Sequence, residues 1–165
     1  MGEVRWATPD DATELVRLRR LMFEAMGLHP VGDEDAAWLR STEDQLRARL
    51  AAGDLFAAVV EAPDAVASDG VVELAASGIV EVSTRIPSPL SASGSYAYLS
   101  SMSTDPRWRR RGYARLVIDA LLDELRRRDV DRIELHATTD GIALYRSVGF
   151  VERSGPVEMQ LRRSG

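Results

Sequence analysis

Several residue types are missing from this chain. It contains no cysteine, no lysine and no asparagine. Without cysteine there is no disulfide, no thiol nucleophile and no zinc–thiolate site. Only His29 and His136 offer imidazole ligands, so we expect no metal. All 21 basic residues are arginine, which excludes a phosphate-binding loop that needs lysine.

Long apolar runs and excess positive charge are also lacking. No segment is apolar enough to span a bilayer. Arg5 and the acidic pair Asp10 and Asp11 interrupt the N-terminal segment, unlike a signal peptide. We therefore expect a cytoplasmic protein without a membrane partner. A net charge of −5 argues against nucleic acid. The length of 165 residues, with 45% apolar residues, predicts a single domain over residues 1–165.

Strand and helix signals then follow one another without internal repeats. The predicted order is β-α-α-β-β-β-α-β-α-β, and the strand–helix–strand unit at 96–137 is expected to be a right-handed parallel crossover. Gly78 is a candidate β-bulge. The predicted strands are 3–7, 56–61, 71–82, 96–104, 132–137 and 157–162, and the predicted helices are 8–26, 35–52, 114–128 and 139–148.

The most informative stretch is residues 104–114, Thr-Asp-Pro-Arg-Trp-Arg-Arg-Arg-Gly-Tyr-Ala, between a strand and a helix. Its core reads Arg109-x-x-Gly112-x-Ala114. Gly112 lets an anion approach the backbone, and Ala114 leaves the helix start uncrowded. The first-turn amides and the helix dipole favour negative charge there. Arg109, Arg110 and Arg111 add positive charge, so the stretch predicts a pyrophosphate site.

A second motif occupies residues 140–150, Asp-Gly-Ile-Ala-Leu-Tyr-Arg-Ser-Val-Gly-Phe. Gly149 is expected to end its helix in a left-handed conformation, with Phe150 packed beneath. Leu144 and Val148 share one helix face, and Tyr145 points elsewhere.

Together, the two motifs resemble those of the GCN5-related N-acetyltransferases, which carry Arg/Gln-x-x-Gly-x-Gly/Ala and, later, Leu-Tyr-x-x-x-Gly-Phe. The resemblance covers residues 72–161 well, whereas the first seventy residues match only in their order of elements. It implies an α/β fold with a mixed, mostly antiparallel central sheet and helices on both faces. It also implies acetyl-CoA as co-substrate.

The resemblance further implies a binding mode. The sheet would splay after the strand at 96–104, and pantetheine would pair with the free backbone there. Tyr145 would protonate the departing thiolate, and the Met102 amide would polarise the thioester carbonyl. Thr138 stands where many relatives carry asparagine and offers fewer donors to the pantetheine arm. One of the three arginines would reach the 3′-phosphate, with no basis for choosing among them. The implied cofactor contacts are Met102, Ser103, Thr104, Arg109, Arg110, Arg111, Gly112, Tyr113, Ala114 and Thr138.

Transfer to an amine also needs a group that removes a proton, since an aliphatic ammonium has a pKa around 10. Glu81, Glu73 and His136 are candidates. Glu81 comes first because it interrupts the apolar run Ile79-Val80-Glu81-Val82. The alternatives are an outward-facing strand glutamate for Glu81 and a structural role for His136. Without cysteine, direct transfer is favoured over an acyl-enzyme.

The acceptor is the least determined part. We expect a primary amine of a small molecule, entering between residues 22–40 and the loop at 83–95. A protein or peptide amine is the alternative, as is a non-catalytic acyl-CoA sensor, which would not need Tyr145. The acids at 33–35, with Trp38, either attract a cationic acceptor or complement a helix N-terminus. A homodimer is also left open.

Overall fold

The computed structural model describes residues 2–28, 34–65, 69–157 and 159–162. Its element order follows the predicted one through the last helix, and three short 3₁₀ turns precede α1, α3 and α4. The strands are β1 (Val4–Trp6), β2 (Leu55–Glu61), β3 (Leu74–Thr84), β4 (Ser95–Thr104) and β5 (Arg132–Leu135). The helices are α1 (Ala12–Ala25), α2 (Glu34–Ala52), α3 (Tyr113–Arg127) and α4 (Ile142–Ser147).

The five strands form one mixed sheet in the order β1-β2-β3-β4-β5. Neighbouring strands are antiparallel as far as β4, and β5 lies parallel to β4. The long connection through α3 makes this parallel pairing possible, because two parallel strands cannot be joined by a tight turn. The predicted mixed, mostly antiparallel sheet is confirmed.

Helices cover both faces of this sheet. Alternate residues of a strand point to opposite faces, so Val59 packs with α1 and α2 while Val60 packs with α3. Leu15 and Leu18 of α1 are fully buried on the first face, and Leu121 of α3 on the second. Burying one such side chain stabilises the fold by about 1.5–3 kcal/mol. The two apolar layers fix the sheet between the helices.

The predicted last strand at 157–162 is wrong for the residues that the structure describes there. Val157, Met159 and Leu161 alternate with polar residues, as a half-buried strand would. Their side chains are instead 85–90% exposed and belong to no ladder. Alternation of apolar and polar residues favours a strand only where the segment can pair with a neighbouring strand and pack its apolar side chains. The described residues of this segment do neither.

The predicted bulge at Gly78 is also wrong. The register shifts between Ile79 and Val80, which pair with Ser101 and Leu99, so Ser100 of β4 is the extra residue. Gly78 instead allows close packing. A Cβ atom there would lie 2.5 Å from the Met102 sulfur and 2.8 Å or less from side-chain atoms of α3. A strand glycine often marks such an approach.

Gly78→Ala is therefore expected to destabilise the protein by about 1–3 kcal/mol, because the added methyl group must displace packed side chains. Urea unfolding measures the change. Gly155→Ala is the control, since a Cβ atom at Gly155 meets nothing within 4 Å. Equal midpoints for Gly78→Ala and the parent protein would contradict the packing role.

Candidate functional site

The centre of the site is the point where β4 and β5 stop pairing. Their ladder runs only from Tyr96–Arg132 to Leu99–Leu135. β4 continues to Thr104 and stays paired with β3 on its other side. Among the described residues, the backbone of 100–104 therefore has no strand partner on the β5 side. An extended ligand can pair with such an edge as an added strand.

The side chains of this open segment are already used in packing. Met102 lies against Gly78 and the α3 side of the core. The Ser103 hydroxyl donates to the Leu18 carbonyl in α1 at 2.7 Å. The predicted contact residues Met102, Ser103 and Thr104 thus lie on the open edge. There a ligand would contact main-chain groups of the strand.

The predicted anion site lies at the start of α3, beyond the end of β4. Gly112 is the N-cap, with φ +81°, and no side chain caps the helix. A Cβ atom on Gly112 would meet nothing within 4 Å, so the approach to the first-turn amides is open. Tyr113 is buried and contributes only main chain, and Ala114 is partly buried. Uncapped amides at a helix N-terminus bind anions.

Three exposed arginines precede this helix start. Arg111 stacks on Trp108, 4.9 Å from the ring centroid, and Trp108 packs against the core. Arg109 Nε lies 3.5 Å from the Thr104 carbonyl oxygen, and Arg110 has φ +62°. In the part of the chain that the structure describes, none of the three forms an ion pair. Their charge is available to an anion.

A buried carboxylate, Asp105, anchors the turn between β4 and α3. It accepts hydrogen bonds from the Arg107 backbone N–H and guanidinium and, at 2.6 Å, from Arg17 of α1. The Arg107 hydrogen bonds hold the pKa of Asp105 far below its usual value against the opposing effect of burial, and Arg17 lowers it further. Arg17 also donates to the Leu74 carbonyl at the start of β3. The turn is thereby fixed to α1 and β3.

Asp105→Asn is expected to cost about 1–3 kcal/mol at neutral pH, since hydrogen bonds to a charged group are lost. Because the folded-state pKa is depressed, the contribution is complete above the unfolded-state pKa of about 3.9 and is lost as pH falls below it. Chemical denaturation between pH 7 and pH 3 measures both features.

The control for this prediction is Asp119→Asn, at an exposed pair with Arg115. An exposed helix pair contributes at most a few tenths of a kcal/mol. The difference in unfolding free energy between Asp105→Asn and the parent protein should become smaller below pH 4. A difference that does not change with pH would contradict this role of Asp105.

The second motif forms the predicted cap. Gly149 has φ +103°, and the Phe150 N–H donates to the Tyr145 carbonyl at 3.0 Å. The Tyr145 ring packs edge-on against Phe150, and its hydroxyl has no protein partner among the described residues. Burial raises the pKa of Tyr145. The phenol therefore stays protonated at neutral pH and can donate a proton. Thr138, exposed, precedes the 3₁₀ turn that leads into this helix.

An open cavity of about 150 Å³ lies on the α1 and α2 side of the sheet. Ser100, the bulged residue, lines it, so the cavity borders the place where β4 leaves β5. Glu81 also lines it, and its carboxylate accepts a hydrogen bond from Arg49 at 2.5 Å. The interruption of the apolar strand by Glu81 is thus explained by a polar cavity.

The other two candidate bases lie elsewhere. Glu73 pairs with Arg107 in the turn before α3 and does not line the cavity. His136 Nδ1 lies 2.5 Å from the Tyr98 hydroxyl, with the two rings edge to face. His136 therefore has a partner, as its structural interpretation requires. The acids at 33–35 are outside the residues whose side chains the structure describes.

Sequence reasoning missed Arg19, which lines the same cavity. Its guanidinium donates to the Ser100 carbonyl at 3.3 Å and lies 4.9 Å from the centroid of the Phe23 ring. The sequence nevertheless contains a pattern that could have identified Arg19. Arg19 is four residues after Leu15 and three before Met22, so it interrupts the apolar face of the predicted helix.

The described helices include none that is long and apolar enough to cross a membrane. Nor do the described residues bring three histidine or acidic side chains together as a metal site.

Solved structures with this architecture include acetyltransferases. One, from Ralstonia eutropha JMP134, is a GCN5-related N-acetyltransferase with 26% identity, complete coverage of both chains and a TM-score of 0.81. A predicted acetyltransferase from Clostridium acetobutylicum, solved with acetyl-CoA, has 23% identity and a TM-score of 0.79, over 97% of this chain and 96% of that one. An aminoglycoside acetyltransferase from an uncultured soil metagenomic sample, in complex with sisomicin, has 13% identity and a TM-score of 0.65. The match covers 99% of this chain and 97% of that one.

The family assignment comes from the sequence. The model of the acetyltransferase (GNAT) family matches residues 28–150, and the chain belongs to this family. A search of curated proteins gives no significant match.

Proposed function

We propose that this protein is an acetyl-CoA-dependent N-acetyltransferase that transfers the acetyl group directly to a primary amine of a small molecule. One observation carries the proposal. A half-paired strand, open over residues 100–104, leads through a braced turn to an uncapped helix start at Gly112. Family membership and the acetyl-CoA in the Clostridium acetobutylicum structure support it.

The residues present fit the two ends of acetyl-CoA. The open edge at Met102, Ser103 and Thr104 suits the amide-rich pantetheine arm, which needs main-chain donors and acceptors. The amides at Gly112, Tyr113 and Ala114 suit the pyrophosphate, and Arg109, Arg110 or Arg111 the 3′-phosphate. Thr138 offers one hydroxyl to the arm. Acetyl-CoA, when bound, supplies a thioester whose carbonyl carbon an amine can attack.

The protein's own groups then act on protons and charge. The Met102 amide donates to the thioester oxygen, a contact worth about 3 kcal/mol if it resembles other oxyanion donors. Glu81, directly or through water, accepts the proton that the amine loses. As the nitrogen–carbon bond forms and the carbon–sulfur bond breaks, the Tyr145 hydroxyl donates its proton to the departing thiolate.

The cavity beside Ser100 supports a small acceptor over a peptide. Its volume of about 150 Å³, between α1, α2 and the sheet, suits a small molecule. The sisomicin complex of the metagenomic acetyltransferase supports small-molecule amines as a class. The Tyr145 hydroxyl, which has no hydrogen-bond partner among the described residues, supports an enzyme over a non-catalytic sensor, which has no use for a proton donor.

Gly112→Glu is expected to abolish acetyl-CoA binding, because a carboxylate would occupy and repel the phosphate position. Titration calorimetry with acetyl-CoA measures this. Gly70→Glu is the matched control, since Gly70 has a similar φ of +79° and an equally open Cβ position away from the helix start. Unchanged affinity in Gly112→Glu would exclude the proposed phosphate site.

Tyr145→Phe is expected to lower kcat by about 10²–10⁴-fold, the usual contribution of a general acid, while acetyl-CoA affinity changes little. Free-thiol release and calorimetry measure the two quantities. Tyr96→Phe, which removes a hydroxyl bound to Glu134, is the control. A Tyr145→Phe variant as active as the parent would remove Tyr145 from the acid role.

A further inference from the structure

Arg19 is a cation without a carboxylate partner in the described part of the chain. Its side chain is largely enclosed by α1, β4 and the Phe23 ring, yet among the described residues the guanidinium has a single hydrogen-bond partner, the Ser100 carbonyl. A guanidinium has five donors. The contact with the Phe23 ring offsets only part of the cost of removing the charge from water. Burial accordingly lowers the pKa of Arg19, although Glu81 and Tyr98 act in the opposite direction.

The other charges of the cavity are already paired. Arg49 donates to Glu81 and also to Asp54. Arg49 therefore bonds both of these carboxylates, and among the described residues the positive charge of Arg19 is the cavity-lining charge without a hydrogen-bonded counter-ion. This charge lies beside the bulge at Ser100, where the proposed transfer takes place.

We propose that the acceptor is an amine that also carries a carboxylate, such as an amino acid, and that Arg19 binds this carboxylate. This inference rests on the proposed function. The planar guanidinium matches a carboxylate in a two-bonded geometry. The acceptor's amine then lies on the side of Glu81 and the open edge of β4, so the cavity complements a zwitterion.

The same charges argue against two other acceptor classes. A polycation such as an aminoglycoside would place several ammonium groups beside an unpaired guanidinium. A phosphate dianion would exceed the single positive charge of the Arg19 guanidinium. A carboxylate has the single negative charge that matches this guanidinium, and it is small enough for the cavity.

The first test compares amino acids with their own carboxamides, for example methionine with methioninamide, in a thiol-release assay with acetyl-CoA. The carboxamide has the lower amine pKa and so more neutral amine at pH 7.5. Intrinsic reactivity therefore favours the carboxamide. We expect the acid to show the higher kcat/KM, by roughly 10- to 100-fold, as for a hydrogen-bonded charge pair. Equal values, or higher values for carboxamides, 2-aminoethyl phosphate or aminoglycosides, would overturn the inference.

The second test assigns the preference to Arg19. In Arg19→Gln, the ratio of kcat/KM for the acid to kcat/KM for the carboxamide should fall towards one, mainly through a change in KM. Arg19→Lys should retain part of the preference for the acid. Arg20→Gln is the control, since Arg20 is exposed and pairs with Glu24. Circular dichroism confirms folding. If Arg19→Gln is folded and keeps the ratio of the parent, Arg19 does not bind the carboxylate.

Binding separates this inference from the proposed activity. Calorimetry in the presence of CoA compares N-acetylmethionine with N-acetylmethioninamide, and needs no turnover. Tighter binding of the acid, lost in Arg19→Gln, supports the inference even if no amine releases thiol, in which case only the proposed activity fails. Equal binding, or binding of neither compound, overturns the inference whatever the activity.

Discussion

The site depends on one constraint, the early end of pairing between β4 and β5. Four residues of β4 pair on both sides, and the others, except the bulged Ser100, pair only with β3. A parallel strand that ends early leaves main-chain donors and acceptors of its neighbour open, where they would otherwise be satisfied. The bulge at Ser100 falls at the same point and turns the strand's side chains. The edge, the cavity and the Arg19 contact all meet there.

The turn after β4 connects this edge to the helix start. Asp105 is held by arginines from α1 and from the turn itself, and its backbone N–H donates to the Ala75 carbonyl in β3. The buried carboxylate thereby fixes the direction in which the chain enters α3. A displacement of this turn would separate the open edge from Gly112. The arginines that pair with Asp105 are different from the three that face solvent, so the charges that brace the turn are separate from those available to an anion.

The parts of the site that sequence predicted are local. The left-handed Gly149 that ends α4, and the helix start beside Gly112, depend on a few neighbouring residues, and the structure confirms them. The misses depend on distant partners. The bulge was predicted at Gly78 but lies at Ser100, because the register between β3 and β4 determines its position. The strand at 157–162 was predicted from alternation, which contains no information on a neighbouring edge. Arg19 was missed because its role is defined by β3 and β4, some sixty to eighty residues away.

The central claim is that one continuous surface, from the open edge of β4 to the first turn of α3, binds acetyl-CoA. Backbone amide hydrogen exchange, measured residue by residue with and without acetyl-CoA, tests it most directly. We expect new protection at those amides of residues 100–104 that face away from β3 and at residues 112–115, because pantetheine and pyrophosphate would bond these amides. Exchange unchanged at both segments under saturating acetyl-CoA, or protection confined to another face of the sheet, would contradict the account.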